Sequence, residues 1–209
     1  MNNKVKIIAD STCDLPQAIL DKYDISIIPL CIIMDDVSYY DGVDITSDEM
    51  IAWSQSLHLA PKTSSPPLAD VIDFIKPYVD ENRDIIFIGI SEELSSTCNV
   101  VRLAGDCYQY NKLYVVDSRN LSNGIGLQVI KAAILSMDGM GAGDIVSYIQ
   151  SNLVDRIRTT FILDTLDYLA WGGRCSSCRY GPVIFLKKSW VFFYPSYLWM
   201  FLVNYNKYP

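Results

Sequence analysis

Apolar residues fall along this chain in short continuous runs, separated by stretches where they recur at helical spacing. Asp84 to Gly89 reads Asp-Ile-Ile-Phe-Ile-Gly, an apolar run of strand length and the pattern of a strand covered on both faces. Beyond it Val100, Val101, Leu103, Ala104 and Cys107 return at helical spacing, so this stretch predicts strand, loop, helix. The same reading gives strands over 5–9 and 113–116, and one over 25–34 interrupted by Pro29. Helices are predicted over 17–23, 68–79, 122–137 and 142–157, with another opened by Thr46-Ser47-Asp48-Glu49 in capping-box style and running to about Leu57. Asp35-Asp36 and Asp41-Gly42 are turn signals around Tyr39-Tyr40, and 61–67 reads as a proline-bracketed loop. A short strand at 161–163, a helical turn at 166–170 and a break at Gly172-Gly173-Arg174 follow. Strands alternating with helices through short right-handed crossovers predict an α/β fold, a doubly wound, mostly parallel sheet flanked by helices.

In such a sheet ligands collect where strands end and helices begin, and unpaired N–H groups at a helix start favour negative charge. At that point after the central strand stand Ser91, Ser95, Ser96 and Thr97. One hydroxyl suffices to cap a helix, and any of these alone is an ordinary N-cap. Four in one loop suggest a site that holds an anion. No strong nucleophile stands there with a base beside it. The loop at 61–67 adds three successive hydroxyls, Thr63, Ser64 and Ser65. Asp10-Ser11-Thr12-Cys13-Asp14 is a further polar loop at a strand's carboxyl end.

Composition narrows the choice. The net charge of −7 and pI near 4.6, with no basic stripe, argue against nucleic acid as a partner. Six cysteines lie scattered at core-like positions, and Met-Asn-Asn-Lys-Val-Lys leads into a strand without a signal-peptide pattern, which suits reduced thiols in a cytoplasm. His58, the single histidine, falls in a polar loop-like stretch, so histidine-based metal or triad chemistry has little to draw on. Cys175-Ser-Ser-Cys178 has redox spacing without a thioredoxin-like strand before it and reads as chance.

Several loops then combine. Asp10-Ser11-Thr12-x-Asp14-Leu15-Pro16, Ile28-Pro29-Leu30, Tyr40-Asp41-Gly42-Val43-Asp44-Ile45 and Lys62-Thr63-Ser64-x-Pro66 fall in the order seen in the DegV family. So do Ile90-Ser91-x-x-Leu94-Ser95-x-Thr97, Val116-Asp117-Ser118, Leu163-Asp164-Thr165-Leu166-x-Tyr168-Leu169 and Gly172-Gly173-Arg174. The chain resembles that family over about its first 177 residues. The resemblance implies a fatty-acid-binding protein, the carrier subunit of a bacterial fatty acid kinase, with no catalytic residue, cofactor or metal of its own. Its ligand would be a long-chain, palmitate-like acid. Its partner would be the kinase catalytic subunit, which phosphorylates the carboxyl group, with transient membrane contact. Carried over residue by residue, Thr63 and Ser95 hold the carboxylate, with Ser64, Ser96 and Thr97 around them. The family usually has Gly where this chain has Ser96 and Gln where it has Ser65.

The resemblance also implies a DegV N-terminal domain over 1–165 and the start of a second domain over 166–209, largely missing and aberrant from about residue 178. There the chain turns into Cys178-Arg179-Tyr180-Gly181-Pro182 and an aromatic run, read as a shifted frame. The apolar stretch from Trp190 to Val203 is too short to span a bilayer, which takes about 20 residues, and Pro195 interrupts it. It reads as sticky surface or an interfacial segment. Two other readings remain open. One is a metal-dependent enzyme acting on a small phosphorylated or carboxylated metabolite, with Asp10, Asp14 and Asp117 as ligands. The other is a non-functional truncated product.

Overall fold

The computed structural model describes residues 5–57 and 59–160, and beyond them the backbone of strand segments at 162–163, 183–186, 189–193 and 202–204. Its centre is a parallel sheet of β1 (Val5–Asp10), β2 (Ile25–Ile28), β6 (Asp84–Gly89) and β7 (Leu113–Asp117), in the order β2-β1-β6-β7. A second, antiparallel sheet in the order β4-β3-β5 joins β3 (Cys31–Met34), β4 (Val37–Tyr40) and β5 (Lys62–Ser64). The helices are α1 (Gln17–Tyr23), α2 (Ser47–Leu57), α3 (Leu68–Asp80), α4 (Thr97–Cys107), α5 (Asn123–Met137) and α6 (Ala142–Ile149).

The central strands read as continuous apolar runs because helices cover both faces of the sheet. Side chains alternate along a strand. Ile7 and Ala9 of β1 and Ile86 and Ile88 of β6 therefore meet Ile125, Val129, Ala132 and Ala133 of α5 and Ile145 and Ile149 of α6. Ile8, Ile85 and Phe87 point the other way, into Val71 and Ile75 of α3 and Cys98, Val101 and Ala104 of α4. Lys6 is the one charge on β1 that this covering buries short of the strand's end. Its Nζ reaches the backbone oxygen of Asp24 at 2.7 Å and the Asp24 carboxylate.

The predicted doubly wound α/β sheet is present, but three expectations about its elements fail. The strand expected over 25–34 is two strands in two different sheets. Pro29 has no N–H for a ladder, and the chain leaves the parallel sheet there. Tyr39-Tyr40 ends β4 between the two turns read at Asp35-Asp36 and Asp41-Gly42, and Asp35 and Asp36 are both in the left-handed region at φ 50° and 62°. That pair matches the mirror-image turn which suits a two-residue hairpin. The connection from β2 to β6 is not short, since it carries the whole second sheet, α2 and α3. The helix expected over 142–157 ends at Ile149 and widens into a looser turn over Gln150–Val154. The capping box stands as read: the Thr46 N–H donates to Glu49 Oε2 at 2.8 Å, and the Glu49 N–H returns to Thr46 Oγ1 at 3.3 Å.

Past the core, β8 (Arg158–Thr160) pairs antiparallel with β12 (Leu202–Asn204). β9 (Ile162–Leu163) runs parallel to β11 (Ser189–Phe193), which pairs with β10 (Val183–Leu186). The expectations for His58, the 166–170 turn, Arg174 and the Cys175–Cys178 pair lie outside the described residues.

Phe87 is fully buried between β6 and the α3/α4 layer, whereas Leu103 is 52% exposed on the outer side of α4. Phe87→Ala is expected to cost about 3–5 kcal/mol of folding stability. Leu103→Ala is expected to stay within about 0.5 kcal/mol. Urea unfolding of both variants checks the assigned helix face, and equal losses would contradict it.

Candidate functional site

The connections leaving β1 and β6 diverge to opposite sides of the sheet, so the crevice between the carboxyl ends of these neighbours is the switch point where ligands gather in open sheets. Here the protein fills it with its own carboxylate. Asp10, the last residue of β1, is fully buried. Its Oδ2 accepts the Ile90 N–H at 2.7 Å, and its Oδ1 accepts the Thr12 N–H at 3.1 Å together with the Thr12 hydroxyl. Gly89 allows that approach, because a Cβ there would stand 3.0 Å from Asp10 Oδ2 and 2.5 Å from the Phe87 ring.

The β6–α4 loop is pinned from its other side as well. The Ser91 N–H donates to Asn120 O at 3.0 Å, and the Glu92 N–H donates to Asp117 Oδ1 at 3.2 Å. With both flanks tied, the loop presents Ser95 and Ser96 at the start of α4. Ser96 occupies the N-cap position, yet its hydroxyl caps nothing. It donates instead to Ser65 Oγ at 3.1 Å, across to the turn that follows β5. Ser95 Oγ accepts the Thr97 N–H at 3.3 Å and shares a 2.9 Å hydrogen bond with Thr97 Oγ1. The capping reading therefore fits Ser95 in part and does not fit Ser96.

The second hydroxyl run does not lie in a loop as expected. Lys62–Ser64 is β5, pairing with β3 so that Thr63 lies opposite Ile32 and Ser64 opposite Cys31. A free edge on β3 outweighed the loop-like composition, since Thr and Ser accept a strand backbone readily. Thr63 and Ser64 are exposed on this short strand, Ser65 is half-buried and Pro66 buried. Pro67 then opens α3, where its fixed φ of −56° suits the residue before a helix. Of the sequence-predicted residues, Ser95, Ser96 and Thr97 share one turn, and Thr63 and Ser64 share the strand leading into the other. The contact that joins the two turns is made by Ser96 and by Ser65, which the sequence reading left out of the site. Its position in the unbroken run Thr63-Ser64-Ser65 was the available signal.

Beside the Ser65 turn lies a groove of about 160 Å³ lined by Ile28, Pro29, Tyr40, Val43, Pro66, Asp70 and Phe74. The thiols near the switch point are not poised for chemistry. Burial pushes Cys13 up to about 11 and Cys98 up to about 12, so neither supplies a thiolate near neutral pH. Two of the three carboxylates named for a metal are engaged by the protein's own donors. Asp10 is committed to Thr12 and Ile90, and Asp117 Oδ1 accepts the N–H groups of Glu92 and Arg119. Among the described residues no group of three His, Cys, Asp or Glu side chains is placed to hold a metal ion. Arg119 pairs with Asp155 at 2.9 Å on the surface. No helix among the described residues is long and apolar enough to cross a membrane.

A family model described as "Uncharacterised protein, DegV family" matches residues 4–179. A DegV domain-containing protein of Clostridium perfringens is 36% identical over 174 residues, covering 83% of this chain and 62% of the relative. One from Clostridium acetobutylicum is 32% identical over 173 residues, with the same shares covered. The chain thus spans about 62% of the length of these relatives. Among solved structures, a DegV family protein from Thermus thermophilus described by its fatty acid binding superposes with a TM-score of 0.74 at 27% identity, covering 81% of this chain and 60% of that one. A stearic-acid-binding protein from Eubacterium ventriosum gives 0.72 at 29% identity, again over 81% of this chain and 60% of that one.

Burial pushes the Asp10 carboxyl above its ordinary value of 3.8, outweighing the donors on Thr12 and Ile90 that pull it down. The folded chain therefore binds this proton more readily than the unfolded chain. Asp10 then favours folding increasingly as pH falls from its raised value towards 3.8, and that gain is lost as pH rises through the same window. Asp10→Asn removes the titration. In urea unfolding at successive pH values, the parent is expected to gain stability relative to Asp10→Asn on acidification, and a pH-independent difference would contradict this.

Proposed function

The chain belongs to the DegV family, and from that premise we propose that it contributes the head-group half of a long-chain fatty acid site. The acid's carboxylate sits where the end of β5 at Thr63–Ser65 meets the start of α4 at Ser95–Thr97. The observation that carries this reading is the Ser96–Ser65 hydrogen bond, which marks where two hydroxyl-bearing segments meet at a helix start. A carboxylate leaving water needs donors there. Thr63 and Ser95 are assigned that role, with Ser64, Ser96 and Thr97 around them. The helix start adds its positive dipole end.

Magnitudes divide the work between head and tail. A charge-assisted hydrogen bond contributes about 1.5–3 kcal/mol. Each buried CH₂ contributes about 0.8 kcal/mol, so ten methylenes outweigh two donors. The tail sets affinity, and the hydroxyls set orientation. The groove of about 160 Å³ is smaller than the roughly 300 Å³ at which ligand pockets begin, so it does not house a long tail by itself. In relatives of greater length, additional chain is available to enclose the acyl group. The bound acid's exposed carboxyl is then open to a kinase subunit that phosphorylates it, and this chain acts as carrier rather than catalyst. A palmitate-like chain length is part of the same reading.

Two measurements test it. Solvent extraction of the purified protein followed by mass spectrometry is expected to release a C14–C18 acid, and in a chain-length series each added CH₂ is expected to tighten binding about fourfold. Thr63→Ala and Ser95→Ala are expected to weaken acid binding by about ten- to a hundredfold each. Acyl-phosphate formation with a fatty acid kinase catalytic subunit is expected to fall much further. Turnover equal to the parent in both variants would contradict the assignment.

A further inference from the structure

The groove beside the Ser65 turn does not suit an acid. Its walls are mainly the aliphatic and ring surfaces of Ile28, Pro29, Val43, Pro66 and Phe74, and Asp70 is the one acidic residue in the lining. Asp70 accepts the Tyr40 hydroxyl, which fixes it at the groove, and a second carboxylate entering there meets like charge. The groove is also preformed. Asp44 closes the Tyr40–Ile45 loop by accepting the Tyr40 N–H at 2.9 Å, and the Gly42 N–H donates to Ile45 O at 3.1 Å. This loop holds Val43 out at 72% exposure as one rim.

An apolar trough ending in a fixed carboxylate matches an aliphatic stem that carries a positive head, since Lys and Arg lay their methylenes on apolar surface while the head seeks charge. The Phe74 and Tyr40 rings add faces that attract a cation. The chain's excess of acidic residues, with a net charge of −7, favours the approach of a basic surface. We propose that this groove is a docking pocket for an Arg or Lys side chain projecting from a partner protein. Pro66 follows Ser65 directly, so a partner seated there stands beside the turn assigned to the acid's head. That second statement rests on the carrier reading, while the pocket itself does not.

The test uses blocked arginine (N-acetyl-arginine N-methylamide) as probe, titrated into the whole protein with side-chain NMR of Phe74 and Val43 as readout. Blocked norleucine, agmatine and hexanoate are the controls. Blocked arginine is expected to shift both residues, to bind more tightly than norleucine, and to lose about tenfold in affinity in Asp70→Asn. Val43→Ser, at an exposed position, is expected to weaken it without changing the melting temperature. Norleucine binding as well as arginine, an unchanged affinity in Asp70→Asn, or agmatine binding while the blocked residue is excluded would each overturn the proposal. Hexanoate perturbing Phe74 and Val43 more than arginine would overturn it too, and would leave the head-group assignment at Thr63 and Ser95 standing.

Discussion

A single buried carboxylate orders the functional end of this protein. Asp10 ends the central strand β1 at the switch point of the sheet, and there it takes hydrogen bonds from the Thr12 loop and from Ile90 at the end of β6. Removing an acceptor from buried donors costs about 1–3 kcal/mol for each one left unpaired, so the two loops cannot drift apart cheaply. The crevice that would receive a ligand in another open sheet is closed by this side chain. The proposed carboxylate site lies outward of it, at the hydroxyl-bearing segments that flank the crevice.

Those turns come together because of packing well away from them. α3 and α4 lie side by side on one face of the sheet, joined through Val71, Ile75, Cys98, Val101 and Ala104 around Phe87. Each helix begins at one of the turns, so their packing brings Ser65 and Ser96 within 3.1 Å. The bond between half-buried Ser65 and exposed Ser96 is worth little by itself, about 0.5–1.5 kcal/mol at most. It reports the alignment of the two turns more than it enforces it. Enforcement comes from the buried layer beneath and from the Asp10 and Asp117 clamps.

Much of this was legible in the sequence, and the exceptions have physical causes. Continuous apolar runs and helical spacing identified β1, β6, β7 and α1 to α5 closely, since both patterns follow directly from a sheet covered on two faces. Pro29 was visible as an interruption, but one residue cannot say whether a strand bends or changes sheet. Lys62–Ser64 became a strand because β3 offered a free edge, a non-local opportunity that composition does not encode. Asp10 read as one acid among several in a polar loop. Nothing in its neighbours announced that it would be fully buried across from Ile90, eighty positions later. The hydroxyls at Ser95–Thr97 were recognisable as a cluster, whereas the partner of Ser96 could be found only once the two helices were packed.

In the proposed function these segments grip an acid by its head. Palmitate labelled with ¹³C at the carboxyl carbon, bound to the full chain and followed by NMR across pH, tests it most directly. Donors that favour the charged form hold a carboxylate ionised below its ordinary range. The bound resonance is therefore expected to resist protonation well below the free acid's titration. In Thr63→Ala/Ser95→Ala it is expected to return towards the free acid's behaviour while the tail stays bound. A carboxyl resonance that titrates like the free acid in the parent, and does not move in the double variant, would contradict the claim.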